Sequence, residues 1–68
     1  MTLRFTASFQ EEDGLIVATC LETGVASQGR TLDEALQNLR EALELYFESE
    51  PAPPKYPQIF VTSIEVAV

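Results

Sequence analysis

Residues 31–47 read Thr-Leu-Asp-Glu-Ala-Leu-Gln-Asn-Leu-Arg-Glu-Ala-Leu-Glu-Leu-Tyr-Phe. Thr31 is followed three residues on by Glu34, the pattern in which a hydroxyl caps the first helical turn and a glutamate reaches back to the chain before it. Asp33 and Glu34 also place negative charge at the positive end of the helix dipole. Leu32, Ala35, Leu36, Leu39, Ala42, Leu43, Tyr46 and Phe47 then recur at helical spacing on one face, while Asp33, Gln37, Arg40, Glu41, Glu44 and Glu48 take the other. The spacing predicts a helix that starts at Leu32 and is stopped by Pro51. A helix with one apolar stripe needs a surface to bury it against.

The residues before it supply that surface. Leu3, Phe5, Ala7 and Phe9 alternate with Arg4, Thr6, Ser8 and Gln10, the period of a half-buried strand with its odd residues toward the core. Asp13-Gly14 is a hairpin signal, because glycine accepts positive φ and aspartate caps its own turn. Residues 15–21 return as a second strand, apolar on both faces. Glu22-Thr23-Gly24 turns the chain again, residues 25–28 read as a short third strand, and Gly29 ends it. Beyond the helix, residues 51–57 carry Pro51, Pro53, Pro54 and Pro57 and read as a stiff extended crossing. Residues 59–68 are β-rich and read as a last strand. The expected fold class is α+β, in the order β-β-β-α-β, with an antiparallel sheet and one helix packed on one face. With 68 residues there is room for a single domain over 1–68.

Composition narrows the function. Eleven Asp and Glu against four Lys and Arg give a formal net charge of −7. The basic residues Arg4, Arg30, Arg40 and Lys55 are scattered, whereas phosphate contacts need them clustered, so direct nucleic-acid binding is not expected. An acidic surface suits a basic protein partner; it also serves solubility alone, and charge does not choose between the two. A single cysteine precludes a disulfide within the chain and fits a reducing, cytoplasmic setting. The N-terminus alternates and does not form a signal peptide, and no run approaches the roughly 20 apolar residues of a membrane span.

The means for bond-making chemistry are sparse. Without histidine the usual general base and the Ser-His-Asp and Cys-His arrangements are missing, as are histidine-ligated metal sites. Cys20 lies in an apolar strand with no basic neighbour in sequence and reads as packing. Glu11, Glu12 and Asp13 could hold a hard cation, but at a hairpin tip solvated charge is the simpler reading, and no metal is expected. Gly14, Gly24 and Gly29 lack a phosphate-binding pattern and read as turns. No cofactor is expected, and the chain is read as not an enzyme. A reduced Mg²⁺ nuclease using Asp13 and Asp33 is the weakest reading, since such a site needs several convergent carboxylates.

Contact surface, by contrast, is in excess. One helix covers one sheet face, yet the second strand and residues 59–68 are apolar on both faces, and Leu45 falls outside the helix's apolar arc. Uncovered apolar surface marks an interface. The expectation is self-association, as a homodimer or higher homo-oligomer, through the second sheet face or a sheet edge. Glu11, Glu12, Asp13 and Leu45 are the residues expected to touch a partner.

The stretch from Cys20 to Gln28, with Gly29, Thr31, Glu34, Ala35, Asn38, Glu41 and Ala42, resembles the HicB-like antitoxins. Their signature has Asp-Gly opening the second strand, a Ser-Gln-Gly approach, then Thr-x-Glu-Glu-Ala-x-x-Asn and Glu-Ala along the helix. Asp13-Gly14 and Ser27-Gln28-Gly29 match it, and Leu21 departs from it where many members carry proline. The resemblance covers nearly the whole chain. It implies a partial RNase-H-like or double-stranded-RNA-binding-like fold and a role: members bind and neutralise HicA, a small basic toxin that cleaves messenger RNA. Many members add a C-terminal DNA-binding domain; the sequence stops at Val68, so only the N-terminal module is expected here. The alternative is a solitary oligomeric domain of this kind that binds another protein or a small ligand.

Overall fold

The computed structural model describes residues 3–49 and 55–68. The chain is an α+β domain: a three-stranded antiparallel sheet followed by one helix. Strand β1 spans Ala7–Glu12, β2 Leu15–Cys20 and β3 Ala26–Gly29, in sheet order β1-β2-β3, and helix α1 spans Leu32–Glu48.

The β1–β2 hairpin turns on Asp13 and Gly14, both at positive φ (51° and 81°). Two consecutive residues in that region make the tight turn whose twist matches the flanking strands. The register follows, with Glu12 opposite Leu15 and Ala7 opposite Cys20. The expected first strand begins at Leu3, whereas the ladder begins at Ala7. The Thr6 carbonyl still accepts from Leu21 N–H at 2.9 Å, but the Thr6 N–H and hydroxyl are taken by the Glu22 carboxylate, each at 2.8 Å. Strand β3 likewise begins one residue later than expected. Val25 belongs to the turn: its N–H donates to Thr23 Oγ1 at 3.1 Å and its carbonyl accepts from Cys20 N–H at 2.8 Å.

The helix forms where its spacing predicts. Thr31 is the N-cap, with Oγ1 accepting from Glu34 N–H at 3.1 Å. In return Glu34 Oε1 accepts from Arg30 N–H at 3.0 Å, one residue before the cap. Gly29 is not a turn glycine. It is buried at the end of β3, and a Cβ there would lie 2.6 Å from Ala35 N and 2.9 Å from Glu34 C. The missing side chain is what lets the first turn of α1 sit against the sheet.

Ala18, Cys20, Ala35 and Leu39 form the buried core, with Phe5, Ala7, Ile16, Val25 and Leu43 packed around it. Helix α1 lies over β3 and β2 and hardly over β1. That placement explains two departures from the expected core. Phe9 sits opposite Ala18 on the helix side of the sheet yet is 41 % exposed. Leu32, Leu36 and Tyr46 belong to the apolar arc of α1 yet stay in water, because a sheet this narrow shields only the middle of the arc.

The expected last strand does not pair within the chain. Among the described residues, 55–68 hold no strand, and Phe60, Ile64 and Val66 are 83 %, 84 % and 71 % exposed. A strand needs a neighbour's N–H and C=O groups, and beyond the half-buried Ile59 every residue to Val68 is exposed. The radius of gyration is 13.8 Å and the longest dimension 47 Å, against about 11 Å for the radius of a compact chain of this length. The Pro51 stop and most of the 51–57 crossing lie outside the described residues. Among the described residues no helix is long and apolar enough to cross a membrane.

Candidate protein-docking surface

Glu11, Glu12 and Asp13 occupy the end of β1 and the hairpin turn, and all three are exposed. Leu45 is 67 % exposed on the C-terminal half of α1. The structure does not bring them together. Gly29 pairs with Ile16 close to the hairpin turn, so α1 starts at that end of the sheet. Its last turns reach the opposite end, where Phe47 stacks on Phe5 at 5.3 Å between ring centroids. The acidic tip and Leu45 are separate patches, divided by roughly the 20 Å that a six-residue strand spans.

A third patch is not apparent from the sequence. Because α1 is offset toward β3, a cleft of about 980 Å³ opens between the helix and the segment leading into β1. Leu3, Phe5, Leu36, Leu43 and Phe47 make its apolar lining, and Arg4, Arg40, Glu44 and Glu48 its charged lining. Each apolar residue was legible as hydrophobic at a core spacing; that they frame an open cleft follows only from the helix offset. Tyr56 closes one end, its ring edge-on to Phe5 at 5.5 Å. From there residues 56–59 pass along residues 3–6 and Glu22 across a second cleft of about 390 Å³.

Two polar arrangements hold these surfaces. Asn38 Nδ2 donates to the Gln28 carbonyl at 2.8 Å, tying α1 to β3. Glu22 receives both Thr6 donors and, at 3.7 Å, the Cys20 thiol. Partial burial works to raise the Glu22 pKa, but the Thr6 N–H and hydroxyl, its own N–H and the Cys20 thiol outweigh it and hold the carboxyl below its ordinary value. Cys20 itself is 1 % exposed and packed in the core. Among the described residues no group of three or more His, Cys, Asp or Glu side chains converges on a point where a metal ion could sit. What the arrangement can do chemically is present two separated patches and a greasy cleft to other proteins.

Residues 6–66 match a family of unknown function, DUF7387. Over 41 residues the chain is 51 % identical to the UPF0150 protein ssr1765 of Synechocystis sp.; the matched stretch covers 59 % of this chain and 52 % of that protein. The chain thus spans about half the length of the curated relative it matches. No solved structure matches the chain.

Proposed function

The chain belongs to the DUF7387 family, a family of unknown function; from the resemblance of its sequence to the HicB-like antitoxins we propose that it is a HicB-like antitoxin module, which binds a small basic HicA-type ribonuclease and silences it by covering its site. The observation that carries the reading is an acidic chain of net charge −7 with large apolar side chains left in water, Leu45 at 67 % and Leu32 at 55 % exposure. Apolar surface of this kind on a small domain marks contact with other proteins. The exposed Glu11, Glu12 and Asp13 at the hairpin tip would steer a basic partner and fix its orientation. In this reading the module works without cofactor or chemistry of its own, in the cytoplasm, touches no nucleic acid directly, and associates with itself as a homodimer or higher homo-oligomer.

The exposed residues 60–68 favour a second reading, a solitary oligomeric HicB-like domain with another protein or a small ligand as its target. The two are separated by co-expression with the reading frame beside its gene, where that frame encodes a small, basic, histidine-containing protein. The antitoxin reading expects relief of growth arrest and a complex that survives size exclusion. Continued arrest with no complex contradicts it.

A further inference from the structure

Residues 59–68 carry ten residues of strand-forming sequence that form no strand among the described residues. Their even positions Phe60, Ile64, Val66 and Val68 present one apolar face, and the only charge among them is Glu65. Elsewhere in the same chain are the two things such a segment lacks. The first is a sheet edge. Among the described residues β1 pairs with β2 alone; at the other edge β3 packs against α1 and gives the Gln28 carbonyl to Asn38. The second is an apolar surface next to that edge, the 980 Å³ cleft.

The dimensions agree. Ten extended residues reach about 33 Å, the same as residues 3–12 that run along the cleft and through β1. The charges agree as well. An acidic chain repels its own copies over most of its surface, but the cleft is lined by Arg4 and Arg40 against Glu44 and Glu48, a sum of zero. These four side chains therefore set no net charge against a second acidic copy, and with Phe60, Ile64 and Val66 turned into the cleft, Glu65 on the alternate face stays in water. The segment does not serve its own domain: after Ile59, which is half-buried, every residue to Val68 is exposed.

We propose that residues 59–68 are an exchange strand, which adds to the free edge of β1 in a second copy of this chain and lays Phe60, Ile64 and Val66 into that copy's cleft. Reciprocal exchange closes a two-fold pair in which the same patch is used twice. Each protomer regains the missing last strand from its neighbour, and the exposed edge and the greasy segment disappear together.

The proposal rests on the self-association in the reading above, and its test separates the two. Light scattering on the eluting chain should give a mass at least twice the 7.5 kDa protomer. Ile64→Glu combined with Val66→Glu, both on the exposed segment, should return it to a single protomer mass with the circular dichroism of α1 intact. A native chain that stays a protomer at millimolar concentration sinks self-association itself. A doubly substituted chain that keeps the native mass sinks strand exchange and leaves self-association standing. In a one-to-one mixture of isotope-labelled and unlabelled native chain, filtered NOE spectra should show Ile64 and Val66 methyls against Leu43 and Phe47 of the other chain. The same contacts found only within one chain would mean that the segment folds back on its own cleft, and would overturn the proposal.

Discussion

The side chain of Asn38 reaches from the middle of α1 to the backbone carbonyl of Gln28, donating at 2.8 Å. The bond joins helix to strand across ten residues of sequence and occupies part of the β3 edge. Asn38→Ala should lower stability by about 1 kcal/mol, the typical net worth of one such bond. Urea unfolding followed by circular dichroism reads it, with an unchanged slope and a lower midpoint.

Gly29 and Gly14 should respond to alanine for different reasons. At Gly29 the new Cβ meets the backbone of Glu34 and Ala35 at under 3 Å, so α1 has to move away from the sheet. A loss of roughly 1–3 kcal/mol is expected from such overpacking. At Gly14 there is open space, and only the positive φ resists alanine, which costs about 1 kcal/mol. Thermal melts of the two variants should rank Gly29→Ala below Gly14→Ala.

Glu22 should set part of the acid sensitivity. Its folded pKa lies below the ordinary 4.5 because the Thr6 donors outweigh partial burial. A depressed folded pKa contributes stability above the unfolded value, and that contribution is lost as pH falls through the folded one. Glu22→Gln should therefore flatten the loss of urea midpoint on acidification from neutral pH, and Thr6→Val should act in the same direction.

Leu39 and Leu45 sit six residues apart on one helix and should behave in opposite ways. Leu39 is 2 % exposed, and Leu39→Ala should cost roughly 2–5 kcal/mol, enough to unfold a domain this small. Leu45 is 67 % exposed, and Leu45→Ala should leave stability within about 0.5 kcal/mol while weakening the grip on a partner. Denaturation and pull-down on the same two variants separate folding from contact.

The helix was legible because three local signals agree on it: the Thr31 cap, Glu34 in the first turn and the apolar spacing through Phe47. The hairpin was legible for the same reason at Asp13-Gly14. What sequence could not place depended on distant partners. The start of β1 moved from Leu3 to Ala7 because Glu22, sixteen residues on, captures both Thr6 donors. Val25 left β3 because Thr23 and Cys20 bind it into the turn. The role of Gly29 depends on how closely Ala35 approaches, which composition does not encode. Of the candidate contacts, the acidic tip and Leu45 are exposed as expected but lie at opposite ends of α1. The cleft was invisible, since Leu36 and Phe47 have the spacing of core residues and only the offset of the helix leaves them open. Residues 59–68 have strand composition, yet they form no strand among the described residues, because composition gives a tendency to pair and does not supply the neighbour.

Titration calorimetry against a small basic HicA-type ribonuclease tests the binding role most directly. The native chain should release or absorb heat in a saturable isotherm, and replacing Glu11, Glu12 and Asp13 by Gln, Gln and Asn should weaken it about tenfold, with a shallower dependence on salt. No heat and no co-elution from the native chain at low salt would contradict the account.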